Sequence, residues 1–104
     1  MITHIHTINP RIAAQIGEAE SILLNQIDYW LSKSGRHIDN LDGNWIYNSH
    51  QEWLKQFSYW SLSKLRRTIK SLETLGLIIS VKVNSKKWNQ TKWYTIDYEK
   101  YAKL

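Results

Sequence analysis

Basic side chains are concentrated between Ser61 and Lys92. This stretch holds eight of the fourteen Lys and Arg residues and one of the nine acids, so its net charge is +7, whereas the other 72 residues sum to −2. Ser, Asn and Gln are interleaved with the cations, and these groups donate hydrogen bonds to phosphate oxygens and base edges. The composition therefore predicts a surface that binds a polyanion, with nucleic acid as the first choice.

Other residues with chemical potential lack suitable neighbours in the sequence. His4 and His6 would share one face of a strand, but no third ligand lies near them, so we expect no metal site. The acids are scattered without a pair set for acid–base or two-metal work, and no glycine-rich phosphate loop occurs. The chain has no cysteine, which excludes disulfides and thiolate chemistry. We therefore expect a protein that is not an enzyme and uses no cofactor.

The length of 104 residues predicts one domain with one modest core. No apolar run approaches the ~20 residues that a membrane-spanning helix requires. The N-terminal segment MITHIHTINP lacks the basic start and apolar stretch of a signal peptide. These features predict a cytoplasmic protein without a membrane partner.

Four helices are predicted from capping residues and apolar periodicity. Asn9, which precedes the sole proline, is a typical N-cap. Ser49 with Glu52 three residues later forms a capping-box pattern, and Ser61 caps the helix that Gly76 ends. The predicted helices span residues 10–16, 18–32, 50–57 and 61–75.

Strand patterns follow the last helix and predict a β-hairpin. Leu77, Ile79, Val81 and Val83 alternate with polar residues, as in a strand with one buried face, and 84–91 is the predicted tip. The other strands are predicted at 45–47 and 92–98. The remaining segments are an N-terminal arm or short β-bridge, a polar loop and a tail, at residues 2–8, 35–43 and 99–104.

The order of these elements predicts an α+β fold, namely a winged helix-turn-helix. Three helices form its core, an extra short helix precedes them, and a C-terminal hairpin wing pairs with the short first strand. The chain is then a single DNA-binding domain over 1–104. Within it, 1–16 are the arm and short helix, 17–98 the winged helix and 99–104 the tail.

The last predicted helix separates an apolar side from a basic side. At about 100 degrees per residue, the core side consists of Leu62, Leu65, Ile69 and Leu72. The second helix of a helix-turn-helix enters the major groove, where the guanidinium of Arg67 could bind guanine in a fork. The predicted DNA contacts on this helix are Ser61, Ser63, Lys64, Arg67, Lys70 and Ser71. Most of these residue types would equally suit an ordinary solvated helix face.

The predicted wing supplies a second set of contacts. Its lysines would neutralise phosphates, and its amides could read an adenine edge or an AT-rich minor groove. Trp88 either stacks on a base of a single-stranded partner or folds back onto the hairpin. The predicted wing contacts are Lys86, Lys87, Trp88, Asn89, Gln90 and Lys92.

Most other aromatic residues are expected to pack within the domain. Of the pair between the third and fourth helices, we expect Trp60 to point inward and Tyr59 outward. The aromatic residues assigned to the core and to strand pairs are Trp45, Trp53, Trp93, Tyr47 and Tyr94.

Four stretches together resemble the N-terminal domain of replication initiation proteins of phages and plasmids. They are EAESILLNQIDYWL (18–31), NWIYNSHQEWLKQF (44–57), SYWSLSKLRRTIKSLETLGLI (58–78) and TKWYTIDY (91–98). The resemblance implies a winged-helix module that binds DNA and helps to start replication of a mobile element. In that family a C-terminal region often engages the replication machinery, which implies a protein partner as well.

Three functions remain open from the sequence. The first is a duplex DNA binder in replication, the second a transcriptional regulator of the same fold, and the third a winged helix that binds protein. Single-stranded DNA is an alternative target. A homodimer through the N-terminal arm would suit a palindromic site, because Ile2, Ile5 and Ile8 would otherwise be exposed.

Overall fold

The structure is a computed structural model, and it describes residues 8–37, 43–81 and 92–104. These residues form five helices and four strands. The helices are Pro10–Ile16 (α1), Glu18–Ser34 (α2), His50–Gln56 (α3), Leu62–Thr74 (α4) and Tyr98–Ala102 (α5). The strands are Arg36–His37 (β1), Asn44–Asn48 (β2), Ile78–Val81 (β3) and Lys92–Ile96 (β4). The fold is therefore α+β, as predicted. None of the described helices combines the length and apolarity needed to cross a membrane.

The predicted helix caps are present. The side chains of Asn9, Ser49 and Ser61 each accept a backbone N–H from the first turn of the helix that follows, at 3.0 to 3.3 Å. Gly76 ends α4 with φ of 75°, and the next N–H reaches back to the carbonyl of Leu72 at 3.0 Å. This left-handed turn satisfies carbonyls that the helix end leaves without a partner.

The sheet is antiparallel with the strand order β1-β2-β4-β3. Tyr94 of β4 pairs with Ile46 of β2 on one side and Ser80 of β3 on the other, so the last two strands pair with each other and with the earlier strand, as predicted. The prediction of a loop over 35–43 was wrong at β1. Its two residues pair with Asn44 and Trp45, and a strand of two residues is too short to show alternation in the sequence.

The predicted alternation of the first hairpin strand was also wrong. Leu77 and Ile78 are both buried, whereas Ile79 is 45% exposed. Leu77 belongs to the helix stop rather than to the strand, because its N–H bonds to the end of α4 and its carbonyl accepts from Asp97. The strand begins at Ile78, one residue later than predicted. Alternation counted from Ile78 places Ile78 on the core face and Ile79 on the outer face, the reverse of the alternation counted from Leu77. Val83 lies outside the described residues.

The core contains Trp53 of α3, Phe57 directly after it, Tyr94 of β4 and the apolar stripe of α4. Trp53, Phe57 and Leu65 are fully buried, and Tyr94 is nearly so. Trp53 meets Tyr94 edge-on at 5.9 Å between ring centroids, which joins α3 to the sheet. Trp60 is buried as predicted, and the aromatic chain from sheet to helix turn is continuous.

Tyrosines 47 and 59 lie outside this core. Tyr59 points outward as predicted and is 62% exposed. Tyr47 is 56% exposed and contacts the ring of its strand partner Trp93, with 4.9 Å between centroids. The expectation of strand-pair packing for these two aromatic residues is confirmed, although one of the rings is largely open to solvent.

Leu62 was wrongly predicted to face the core, since it is 40% exposed. It is the first residue of α4. Thr68 takes a place on the buried side instead, and its hydroxyl donates to the carbonyl of Lys64 at 2.7 Å. A hydroxyl satisfied within its own helix can be buried at little cost.

The other element ends differ from prediction by a few residues. α2 runs to Ser34 rather than Ser32, and α3 ends one residue before Phe57. β4 stops at Ile96 because Asp97 caps α5, accepting the N–H of Lys100 at 3.3 Å. Most of the tail is thus helical.

The terminal helix α5 is tied to the first two helices. The hydroxyl of Tyr98 donates to Asp28 on α2 at 2.7 Å, and the guanidinium of Arg11 on α1 donates to the carbonyl of Leu104. Burial, followed by the bond to Asp28, raises the pKa of Tyr98. The C-terminal residues therefore pack against the domain.

Substitution of Leu65 and Leu62 by alanine tests the orientation of α4. Because Leu65 is fully buried, Leu65→Ala should lower the free energy of unfolding by about 2–5 kcal/mol. Leu62→Ala on the exposed side should change it by roughly 0.5 kcal/mol or less. Urea unfolding of both variants measures the difference, and equal losses would contradict this orientation.

Candidate nucleic-acid interface

The outward face of α4 carries the cations that were predicted for it from the sequence. Ser63, Lys64, Arg67 and Lys70 are all exposed, opposite the buried stripe, as predicted. The only acid of α4, Glu73, accepts a hydrogen bond from the hydroxyl of Ser80 on β3. This carboxylate is therefore engaged by the sheet, and it lies on the flank of the helix rather than among the outward cations.

The first turn of α4 is held by two contacts. The hydroxyl of Ser61 accepts the N–H of Lys64 at 3.0 Å and keeps its own proton for donation. The ammonium of Lys64 lies over the ring of Trp60, 5.4 Å from its centroid. A cation over an aromatic face is attracted by the partial negative charge on the face of the π system. Ser61 thus combines the capping role with an exposed position, while Ser71 is half-buried on the helix flank.

A second cationic group lies where α3, α4 and β4 meet. Lys92 is the strand partner of Asn48, two residues before His50, the first residue of α3. The pKa of His50 is lowered, first by burial and then by the positive charges of Arg66 and Lys92, while Glu73 acts in the opposite direction. The charges of Arg66 and Lys92 therefore converge on His50 at the start of α3. We call His50, Arg66 and Lys92 the α3 cationic cluster.

The cationic neighbours of His50 are distant from it in the sequence. Its neighbours come from residues 16 and 42 positions further along the chain. Only the pairing of Asn48 with Lys92 brings the start of β4 beside α3. The Ser49 cap was the available signal, because it fixed His50 at the first position of a helix that precedes the basic helix.

The remaining predicted contacts lie outside the described residues. These are Lys86, Lys87, Trp88, Asn89 and Gln90. His4 and His6, for which no metal site was expected, also lie outside the described residues. Lys92 is described and half-buried, at the start of β4. Among the described residues, no group of three or more His, Asp or Glu side chains could hold a metal ion.

The ion pairs of the described residues leave the cations of α4 available. Lys55 and Glu52 on α3 form a pair at 3.1 Å with both side chains largely exposed, and no other ion pair is present in the described ranges. The guanidinium and ammonium groups of α4 therefore have no acidic partner there. Such groups can bind an external anion without first breaking an internal pair.

Comparisons with protein-family models, curated proteins and solved structures returned no match for this chain.

The lowered pKa of His50 predicts a pH dependence of stability. The folded state binds fewer protons than the unfolded state, so the free energy of unfolding should fall as the pH drops below 6.5, the value expected when unfolded. His50→Gln should flatten this fall, measured as urea unfolding at about pH 7.5 and about pH 5.5. His37→Gln, on the exposed strand β1, is the control and should keep the parent's dependence. An unchanged fall in His50→Gln would contradict a lowered pKa of His50 as the cause.

Proposed function

We propose that the domain is a winged helix that binds duplex DNA with α4 in the major groove. The order α2, β2, α3, α4, β3, β4 and the antiparallel arrangement of β2, β4 and β3 support this topology. The short turn between Gln56 and Leu62 joins α3 to α4, as in a helix-turn-helix. In such a motif the second helix contacts base edges and the first crosses the backbone.

The outward face of α4 is the observation that carries the proposal. Its cations are exposed, its acid is bonded to the sheet, and its buried side is fixed by the core. With 13 residues, the helix is about 20 Å long, and its ~10–12 Å diameter suits the major groove, which is about 12 Å wide. Positive charge on a helix of these dimensions favours a duplex over a compact anion.

Distinct roles are assigned to the cations by position. Arg67 lies near the centre of the outward face, where a fork of two N–H groups would read guanine. Lys64 and Lys70 are placed to neutralise phosphates on either side of the groove. The α3 cationic cluster would contact the backbone where the first helix of the motif crosses it.

The biological role that we propose is replication initiation of a phage, plasmid or other mobile element. The resemblance of four stretches of the chain to that family supports it. A transcriptional regulator would use the same helix, so the bound sequence is what distinguishes the two roles. Selection from random duplexes, with single-stranded DNA at matched salt as control, tests the proposal; repeated copies of the selected site in one replication origin would favour replication.

Removal of the proposed reading residue should weaken specific binding. Arg67→Ala should cost about 1–3 kcal/mol for the selected duplex and relax the preference at one base pair. Lys33→Ala, which removes one charge from the end of α2, should leave both unchanged. Fluorescence anisotropy with the selected site and its single-base variants provides the measurement. An Arg67→Ala protein with the parent's affinity and preference would rule out this docking.

Removal of the backbone contacts should act on every sequence alike. The double variant Arg66→Ala, Lys92→Ala should flatten the slope of log K against log salt by roughly two units, because each phosphate contact releases close to one counterion. The double variant Lys33→Ala, Lys103→Ala removes the same charge elsewhere and should retain the slope. Titrations at several salt concentrations measure it, and equal slopes for parent and the first variant would exclude the cluster from the interface.

A further inference from the structure

An aromatic pocket lies apart from the outward face of α4, since α4 contributes none of its described lining. Its volume is about 540 Å³ and its described walls come from α2, β1, β2, α3 and β4. We call the part of the lining formed by six of its side chains the aromatic pocket: Trp30, Arg36, Trp45, Tyr47, Gln56 and Trp93. A volume of this size is within the range of small-molecule sites.

Three of the rings share one face of the sheet. Tyr47 and Trp93 are direct strand partners, and Trp45 lies two residues before Tyr47, so all three project to the side opposite the core residue Ile46. Tyr47 is 56% exposed, and its ring is tilted by 56° against that of Trp93. A large ring left open beside other rings offers a surface on which a planar group can stack.

The polar groups of the pocket are specific. The side-chain carbonyl of Gln56 accepts from the amide of Gln26 at 2.7 Å and from the indole of Trp30 at 2.8 Å. Both lone pairs of this oxygen are thereby used, which fixes the orientation of the Gln56 amide and leaves its NH₂ group to donate. The pocket thus presents donors to an acceptor-bearing ring.

Arg36 is the one charged residue in the described lining, and it is exposed. It is the strand partner of Trp45, so its side chain lies on the same sheet face as the rings. The pocket therefore combines stacking surfaces, amide donors and one cation, and no carboxylate of the described lining opposes an anion. A planar heterocycle attached to a phosphate satisfies all three features.

We propose that the aromatic pocket binds an unpaired base of single-stranded DNA. The base stacks on the exposed ring of Tyr47 beside Trp93, Gln56 donates to its ring acceptors, and Arg36 binds the adjoining phosphate. The single cation of the described lining, Arg36, favours a phosphate-bearing strand over a neutral aromatic ligand. This site is separate from the proposed duplex surface and does not depend on it.

Binding of an oligothymidylate of roughly 12 nucleotides tests the pocket. An abasic strand of equal length and charge is the control for backbone attraction. The parent should bind the thymidylate more tightly than the abasic strand in fluorescence anisotropy at the same salt. Tyr47→Leu should lower the affinity for thymidylate by roughly 5- to 150-fold, the range given by loss of one stacked base.

Three further variants make the outcome specific. Tyr59→Leu removes an equally exposed ring outside the pocket and should retain the parent's affinity. Arg36→Gln should weaken binding of both strands, because it removes a phosphate contact. Arg67→Ala should weaken duplex binding but leave thymidylate binding unchanged, which separates this site from the proposed duplex surface.

The proposal fails if the parent binds the thymidylate and the abasic strand equally, or binds neither. It also fails if Tyr47→Leu keeps the parent's affinity, or if Tyr59→Leu loses as much. The variants lie at exposed positions, and thermal unfolding followed by circular dichroism should give the parent's midpoint within a few degrees. Loss of duplex binding in Arg67→Ala alone would leave the pocket supported.

Discussion

The stacking of Phe57 on Trp60 fixes the position from which α4 starts. The two rings lie 4.4 Å apart between centroids and are nearly parallel, at 16°. The backbone N–H of Trp60 also donates to the backbone carbonyl of Phe57 at 2.9 Å, which closes the turn. Because Trp60 directly precedes Ser61, the N-cap of α4, the ring stack determines how the helix leaves the turn. Trp53 connects the stack to Tyr94, so the sheet and the turn share one aromatic core.

The direction of α4 determines where its charge goes. Four of its residues form the buried stripe, and the outward positions then fall to the cations. Burial of an unpaired Lys or Arg would cost several kcal/mol, so the same packing that stabilises the core excludes the cations from it. Glu73, which lies on the flank, is taken up by Ser80 of the sheet. The basic face is thus a consequence of the apolar stripe and of one hydrogen bond, rather than of charge attraction within the domain.

Local signals predicted the helices and the composition of the α4 face, because caps and apolar periodicity act within a few residues. Asn9, Ser49 and Ser61 cap the helices that were assigned to them. Two features were missed. β1 has only two residues, too few to show alternation, and His50 acquires its cationic neighbours from distant parts of the chain only through the fold. The predicted inward and outward faces of β3 were exchanged because the alternation was counted from Leu77. That residue belongs to the Gly76 turn, and the strand begins at the next residue. The aromatic pocket joins five elements and has no sequence signal of its own.

The register between β2 and β4 separates the two surfaces. Along β4, Lys92 and Tyr94 share one face of the sheet and Trp93 occupies the other, since side chains alternate. Lys92 therefore reaches the α3 cationic cluster, while its neighbour Trp93 contributes to the aromatic pocket. A slip of one residue would exchange these positions and would also bring Tyr94 out of the core. The contact of Tyr94 with Trp53 opposes such a slip, so the aromatic core that directs α4 also holds the ammonium of Lys92 and the ring of Trp93 on opposite faces of one strand.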